Sequence, residues 1–311
     1  MSHDRRFRFG VEMVGPFEGL TWAESAQELE RLGYSTLFVP DHLHEGLGPI
    51  TAMATAAMAT ATLVVAPMVL AADFRHPAVL ARELASIDLL SGGRLEVGLG
   101  AGYQVTDYER SGIQMDPPGV RVGRLIEQVR VLRGLFAEGS FDFEGEHFTI
   151  RDLDGTPKPA RPGGPPILVA GGGRRLLTFA AQEADIIGVN VSLPTSANRT
   201  APTDALADSI DEKLGWIREA AGDRFDDIEL HGWLSVVSVT QDPSRLAARL
   251  ADAFGGTPEQ ALESPLVLVG SEDDIVARLQ ARRERWGYSY FTVPQSKAHE
   301  FAPIVQQLAG R

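Results

Sequence analysis

The chain has 311 residues, no cysteine and a formal net charge of −13 at pH 7. The lack of cysteine excludes disulfides, thiolate chemistry and cysteine-ligated metals, and no other motif predicts a metal site. The acidic balance argues against general nucleic-acid binding, because neutralising phosphates requires clustered Lys and Arg. Threonines and Pro67 interrupt the Ala-rich run 51–70, which therefore predicts a buried helix and strand and no membrane span. No signal peptide is visible in residues 1–9, so we expect a cytoplasmic protein.

Strand-like apolar runs alternate with capped or amphipathic helices along the chain. Strands are predicted over residues 7–14, 36–40, 63–70, 94–100, 167–170, 185–189, 228–239 and 288–293. Helices are predicted over residues 21–33, 49–60, 77–92, 121–138, 204–221, 243–254, 258–262 and 271–286, with another from residue 174. Between residues 139 and 166 the pattern predicts a small hairpin with a Pro-rich tail. We interpret this segment as an insertion after the fourth long helix and not as a domain boundary.

Repeated strand–helix units imply a parallel sheet, either closed as a barrel or open and doubly wound. About eight such units favour a single (β/α)8 TIM-barrel domain over residues 1–311. The support for an open sheet is Gly98–Tyr103, which partly matches a dinucleotide-binding fingerprint. However, Tyr103 replaces the third glycine of that fingerprint, and the motif follows the fourth strand instead of the first. In a barrel, the active site lies at the C-terminal ends of the strands.

Several polar and glycine-rich segments follow directly after predicted strands. They are Asp41-His42, residues 68–71, residues 100–104, residues 171–175 and Asn190. Three glycines before a helix, followed by two arginines, favour binding of an anionic group, with a tight turn as the alternative. A histidine beside an aspartate at a strand end can move a proton near neutral pH, although a structural role for His42 is the alternative. We expect His76 to be structural and His231 to be a weaker proton-transfer candidate.

The segment FRHPAVLARELASIDLLSGGRLEVGLGAGY, residues 74–103, resembles the signature of the bacterial luciferase-like superfamily. It is most similar to the deazaflavin-dependent oxidoreductase branch, whose members use coenzyme F420. Matching segments extend from Phe7 to about Pro294. The resemblance implies a TIM-barrel homodimer that binds coenzyme F420, with FMN as the alternative cofactor.

The resemblance also implies roles for individual residues. His42 corresponds to a catalytic histidine, and a non-prolyl cis bond at Met68-Val69 would support the cofactor ring. The glycine loop would hold the cofactor phosphate. The predicted cofactor-binding residues are Asp41, Met68, Val69, Ala71, Gly100, Gln104, Gly171, Gly172, Gly173 and Arg175. Sugar-phosphate dehydrogenases of this branch carry a glutamate where this chain has Ala101, so the sequence does not predict that substrate.

The sequence therefore predicts a coenzyme F420-dependent oxidoreductase that transfers a hydride between the deazaflavin and a small organic substrate. One alternative is an FMN-dependent monooxygenase. Another is a catalytically silent cofactor-binding protein, because fold alone does not establish chemistry. The loops 141–166 and 190–202 are expected to shape the substrate pocket, but nothing in them identifies the substrate.

Overall fold

The computed structural model of the chain describes residues 5–192 and 202–311. In these residues the strands are β1 (Arg8–Glu12), β2 (Thr36–Val39), β3 (Val64–Pro67), β4 (Leu70–Ala71), β5 (Val97–Gly100), β6 (Ser140–Glu144), β7 (Thr149–Asp154), β8 (Ile167–Gly171), β9 (Ile186–Val189), β10 (Glu229–Trp233), β11 (Val236–Val239), β12 (Val267–Gly270) and β13 (Tyr288–Pro294).

The helices are α1 (Trp22–Leu32), α2 (Pro49–Ala59), α3 (Pro77–Ser91), α4 (Val105–Ser111), α5 (Pro118–Phe136), α6 (Arg174–Glu183), α7 (Ala207–Ala221), α8 (Ser244–Phe254), α9 (Pro258–Glu263), α10 (Glu272–Trp286) and α11 (Ala298–Leu308). Within the described ranges, no helix combines the length and apolarity needed to cross a membrane.

The chain divides into two compact units, which we describe separately. The first comprises the described residues of Met1–Glu12, Arg31–Ser35 and Ala170–Arg311. Here β1 pairs with β13, β13 with β10, and β10 with β9, all in parallel, while β11 and β12 form a small parallel sheet of their own. The second comprises Met13–Glu30 and Thr36–Val169. In it, β2 pairs with β3, β4 with β5, and β5 with β8, again in parallel.

The main sheet has nine strands, of which β3 and β4 are two halves of the single third strand predicted over residues 63–70. Nine strands therefore occupy eight strand positions, and helices alternate with them along the chain. This confirms the predicted (β/α)8 TIM-barrel fold class. The interruption between β3 and β4 lies at Met68-Val69, whose peptide bond is cis as predicted.

Three strands of the main sheet are buried along their whole length. Every residue of β2, β5 and β9 is buried. Continuous apolar runs of this kind are typical of parallel strands covered on both sides, whereas a strand with one wet face alternates. The segments that carry His42, residues 101–104 and Asn190 thus follow fully buried strands.

Local capping signals set the helix ends as predicted. The Glu24 carboxylate accepts a hydrogen bond from the Thr21 backbone N–H at 2.7 Å, and the Glu24 N–H donates to Thr21 Oγ1 at 3.3 Å. Gly92 ends α3 with a left-handed φ of 68°. Each signal acts within a few residues, which is why the sequence predicts it well.

The 139–166 segment contains the predicted hairpin, formed by the antiparallel strands β6 and β7. Glu127 of α5 anchors its turn, because the carboxylate accepts hydrogen bonds from the N–H groups of Glu146, His147 and Phe148 at 2.8–3.0 Å. That anchor lies within the second unit. The proposal of one domain over residues 1–311 stays a prediction.

The prediction of one long strand over residues 228–239 is wrong. The chain forms β10 and then β11, which belong to different sheets. At the break, the Leu234 N–H donates to the Thr292 carbonyl, and the next N–H, from Ser235, donates to the Leu266 carbonyl. A change of hydrogen-bonding partner therefore divides a continuous apolar run. Three further elements, β12, α4 and α11, were not predicted from the sequence.

Candidate active site

Asp41, two residues beyond β2, is an almost fully buried carboxylate. Its Oδ2 accepts hydrogen bonds from Arg75 Nη1 at 2.6 Å and from the Ala71 backbone N–H at 3.0 Å, while its Oδ1 accepts from Arg75 Nη2 at 2.8 Å. A bidentate arginine–carboxylate pair fixes geometry as well as charge. Asp41 therefore ties the loop after β2 to β4. Its predicted contact with a cofactor stays a prediction.

His42 and His44 both donate to one carboxylate, that of Asp107. His42 Nδ1 lies 2.8 Å from Asp107 Oδ2, and His44 Nδ1 lies 2.8 Å from Asp107 Oδ1. The Leu43 backbone N–H donates to the same Oδ1 at 3.0 Å. On its other side, His42 Nε2 lies 3.3 Å from the Tyr103 hydroxyl. The cluster therefore combines a partly exposed imidazole with a buried anion, an arrangement suited to proton transfer.

Burial by itself would raise the pKa of Asp107, but hydrogen bonds from His42, His44 and the Leu43 N–H lower it below its usual value. The carboxylate is therefore ionised at neutral pH. Among the described residues, His42, His44 and Asp107 are also a group whose possible metal-ligating atoms lie within 4.8 Å of one another. Because these atoms already hydrogen-bond to each other, we interpret the group as an imidazole–carboxylate cluster.

Helix α4 places Asp107 in this cluster. It begins after Gln104, whose carbonyl accepts the Asp107 N–H at 3.0 Å, and ends at Gly112 with a left-handed φ of 74°. Sequence analysis missed α4 and therefore missed Asp107. The only local signal was a seven-residue polar stretch ending in glycine, which is short for a helix prediction.

Packing explains two of the glycines in β5 and just after it, Gly98 and Gly102, and the sequence did not reveal this. A Cβ at Gly98 would lie 2.1 Å from the Pro67 carbonyl oxygen, and one at Gly102 would lie 1.9 Å from the Tyr108 hydroxyl. Tyr108 in turn donates to Asp73 at 2.8 Å. At these two positions neighbouring groups of the protein occupy the space that a side chain would need.

An arginine of α5 binds backbone carbonyls in the segment just after β5. The buried Arg121 guanidinium donates to the carbonyls of Ala101, at 3.0 Å, and Gly102. Gly100 pairs with Ala71, and its carbonyl accepts the Ala72 N–H at 2.9 Å. The predicted site residues Asp41, Ala71 and Gly100 are therefore connected within the second unit by hydrogen bonds across β4.

The predicted phosphate loop lies in the first unit. Gly173 is the N-cap residue of α6, makes no side-chain cap hydrogen bond and has no heavy atom within 4 Å of where its Cβ would be. In contrast, a Cβ at Gly172 would lie 2.6 Å from the Asn190 carbonyl oxygen, and one at Gly171 would lie 2.4 Å from Leu176. An uncapped helix start with open space fits a phosphate group. Arg175 follows on the first turn and is exposed.

A buried lysine fixes the backbone beside this loop. Lys213 of α7 donates to the Asn190 carbonyl at 3.0 Å and to Asp204 at 2.8 Å, and the Ser192 N–H donates to the same carboxylate. Ser192 Oγ donates to the Gly172 carbonyl at 3.2 Å. The roles of Lys213 and Asp204 were not predicted from the sequence. Residues 193–201 of the predicted substrate loop lie outside the described chain.

Two other histidines considered from the sequence, His76 and His231, have structural roles. His76 is the N-cap residue of α3, and its Nδ1 accepts the Ala78 N–H at 3.2 Å, which confirms the expected structural role. His231 is buried in β10, with Nε2 2.7 Å from Thr292 Oγ1. Burial lowers the pKa of His231 to about 3, so it stays neutral at working pH and cannot cycle its charge there.

Glu12 and Trp233 form a polar pair that the sequence analysis did not predict. They are the last residues in their strands β1 and β10, and Trp233 Nε1 donates to Glu12 Oε2 at 2.8 Å. Both belong to the first unit and are partly exposed. Their positions at strand C-terminal ends are those at which barrel enzymes bear functional residues.

The fold is a (β/α)8 barrel, and the histidine–carboxylate cluster follows its second and fourth strand positions. Both features are typical of barrel enzymes, whose active sites lie at the C-terminal ends of the strands. The sequence profile described as luciferase-like monooxygenase matches residues 21–207. The chain belongs to this family, whose members are oxidoreductases and monooxygenases.

One curated relative is the pyrimidine monooxygenase RutA of Klebsiella pneumoniae, which is 37% identical over 144 residues. The match covers 45% of this chain and only 38% of that protein. Among solved structures, the coenzyme F420-dependent tetrahydromethanopterin reductase of Methanopyrus kandleri has a TM-score of 0.77 at 17% identity and covers 98% of this chain and 99% of its own. The monooxygenase RslO1 of Streptomyces bottropensis has a TM-score of 0.70 at 23% identity, covering 96% of each chain. At such identities the two structures show the fold alone.

Proposed function

We propose that this chain is a coenzyme F420-dependent oxidoreductase that moves a hydride between the deazaflavin and a small organic substrate. The observation that carries the proposal is His42, a partly exposed imidazole held by the buried carboxylate of Asp107. When a carbon–hydrogen bond next to a hydroxyl gives up a hydride, the hydroxyl proton must also leave. His42 Nε2 is placed to take that proton, or to return it in the reverse direction.

When bound, the deazaflavin supplies the hydride acceptor or donor. The resemblance assigns its ring to Met68, Val69, Ala71, Gly100 and Gln104, and its phosphate to Gly171, Gly172, Gly173 and Arg175. The open, uncapped start of α6 supports the phosphate assignment. Both oxygens of Asp41 accept hydrogen bonds from Arg75 or Ala71, so we propose that Asp41 contributes by fixing the Ala71 backbone.

A second candidate is a flavin-dependent monooxygenase that uses FMN. The observation that favours it is the 37% identity over 144 residues with a pyrimidine monooxygenase. The two candidates differ in which cofactor binds, so binding separates them more directly than activity does.

We expect coenzyme F420 to bind at least tenfold more tightly than FMN in side-by-side titrations, a difference of about 1.4 kcal/mol. Gly173→Asp should weaken both cofactors, because a carboxylate at the start of α6 would cap the helix and repel a phosphate. Gly173→Ala is the matched control and should bind within about threefold of wild type, since there is room for its methyl group. Equal affinities, or FMN co-purifying with the protein, would favour the monooxygenase; binding without turnover on any substrate would favour the silent protein.

We also propose that the chain forms a homodimer. Apolar side chains are exposed on α2 and α3, namely Met58 (65%), Val79 (59%), Leu89 (50%) and Leu90 (66%). Light scattering after size exclusion should give twice the monomer mass at about 10 μM protein, and Leu90→Glu should give monomers because it buries a charge in the interface. Leu153→Glu, on the hairpin, is the control and should stay dimeric. A wild-type monomer at that concentration would contradict the proposal.

A further inference from the structure

Asp107 is the central residue of a three-donor cluster. Its Oδ2 accepts from His42 Nδ1, and its Oδ1 accepts from His44 Nδ1 and the Leu43 N–H, at distances of 2.8, 2.8 and 3.0 Å. Only 3% of the Asp107 side chain is exposed, compared with 21% for His42 and 30% for His44. The carboxylate is thus enclosed, while both imidazoles reach solvent.

The charge state of Asp107 determines the tautomer of its neighbours. An ionised carboxylate can only accept hydrogen bonds, so the nitrogen facing each oxygen must carry the hydrogen. Both histidines therefore have their proton on Nδ1 when neutral. This leaves Nε2 of His42, which faces the Tyr103 hydroxyl at 3.3 Å, as an acceptor, the form that a base needs to take a proton from a substrate.

We propose that Asp107 is the positioning residue of the site: it holds His42 as the Nδ1–H tautomer, with Nε2 available to the substrate, while His44 acts as the second donor that keeps the carboxylate in place. This inference rests on the proposed function for its catalytic consequence, but the tautomer itself does not. Nε2 of His42 would take the hydroxyl proton of the substrate, and the deazaflavin, when bound, would supply the hydride acceptor.

The two histidines are not equivalent. Beyond Asp107, His42 faces the Tyr103 hydroxyl at 3.3 Å and packs edge-on against its ring, with centroids 5.6 Å apart. His44 faces outward, with Nε2 3.9 Å from a Glu45 carboxylate oxygen. The charged or titratable groups around His42 are therefore Asp107, His44, Tyr103 and, through His44, Glu45. The adjacent Asp41 is neutralised by Arg75. These contacts make His42 the base and His44 its support.

The wild-type protein tests the tautomer without a substrate or a cofactor. In ¹⁵N-histidine NMR spectra of the full chain above pH 8, we expect the His42 signals of the Nδ1–H tautomer, assigned by their loss in His42→Asn. A dominant Nε2–H tautomer for His42 would overturn the proposal whatever the enzyme's reaction turns out to be. Absence of deazaflavin turnover with the Nδ1–H tautomer intact would instead overturn only the proposed function.

Steady-state kinetics test the catalytic consequence of holding His42 as the Nδ1–H tautomer. With coenzyme F420 and the best substrate from a panel of small alcohols and aldehydes, Asp107→Asn should lower kcat about 10²-fold or more, since an amide no longer enforces the tautomer. In its ¹⁵N-histidine spectrum, His42 should no longer be held as the Nδ1–H tautomer alone, because an amide can donate as well as accept a hydrogen bond. Cofactor Kd should stay within about threefold of wild type. An unchanged His42 tautomer with an unchanged kcat would overturn the proposal.

Three further variants separate positioning from a general loss of structure. His44→Gln keeps an N–H donor for Oδ1 and should stay within a few-fold of wild-type kcat, whereas His44→Phe removes the donor and should lower kcat about tenfold. Asp242→Asn, which makes the same chemical change at the start of α8, should leave the His42 tautomer and kcat unchanged. If Asp107→Asn does not fold, the His44 pair and the wild-type spectrum still decide the question. Equal kcat values for the two His44 variants would contradict the role assigned to His44.

Discussion

Replacing His42 with asparagine is expected to lower kcat about 10²–10⁴-fold, the usual range for loss of a general acid or base. Asparagine retains an N–H that can donate to Asp107, so the loop after β2 should keep its position. Its amide cannot accept and hold a proton near neutral pH. Cofactor affinity should therefore change by less than about threefold, and the loss should be seen in kcat and not in binding.

The measurement is steady-state turnover of the deazaflavin with a confirmed substrate, together with a separate cofactor titration. His299→Asn, at an exposed position on α11, is the matched control and should keep wild-type turnover. Turnover of His42→Asn within a few-fold of wild type would remove His42 from the proton path. Loss of cofactor affinity with kcat intact at saturation would make His42 a binding residue.

Replacing Arg75 with methionine is expected to lower the free energy of unfolding by about 2–4 kcal/mol, because it leaves the buried Asp41 carboxylate without its counter-charge. Asp41 is 3% exposed at its side chain and Arg75 is 23% exposed, so the cost should fall below that of a fully buried pair. The Ala71 N–H would remain as a hydrogen-bond donor to Asp41, but it carries no charge.

The double variant Arg75→Met/Asp41→Asn tests this explanation. Removing the uncompensated charge should recover about half of the lost stability, so the two changes should not be additive. Arg174→Met is the control, since Arg174 is 65% exposed and its ion pair with Glu219 spans 3.6 Å. That substitution should change stability by less than about 0.5 kcal/mol. Urea unfolding of the wild type, Arg75→Met, Asp41→Asn, the double variant and Arg174→Met gives the comparison. Equal midpoints for Arg75→Met and Arg174→Met would show that the pair adds nothing.

Much of the fold could be predicted because the signals that define it are local. The Thr21–Glu24 capping box and the left-handed Gly92 act over three or four residues. Runs of buried apolar residues define β2, β5 and β9 without reference to the rest of the chain. The alternation of these elements then favours a (β/α)8 barrel, and the barrel places candidate residues at strand ends.

The wrong or missing predictions concern elements whose structure depends on a partner far away in the sequence. Residues 228–239 look like one strand, yet the run breaks where successive N–H groups take carbonyls from different neighbours. Short elements were also missed, because a helix such as α4, with only seven residues, is too short to show a clear helical pattern. Asp107 was missed for both reasons, because it lies on α4 and is 65 positions from His42.

The sequence by itself determined the alternation of strands and helices that favours a barrel, and the strand ends that carry His42 and the glycine loop. The cis bond at Met68-Val69 was implied by the family resemblance. Tertiary structure decided what those residues contact. It paired Asp41 with Arg75, placed Asp107 against His42, and filled the space beside Gly98 and Gly102 with a carbonyl and a hydroxyl. The physical reason is that backbone propensity and capping depend on neighbours in sequence, whereas a hydrogen bond or an ion pair depends on atoms brought together only when the chain folds.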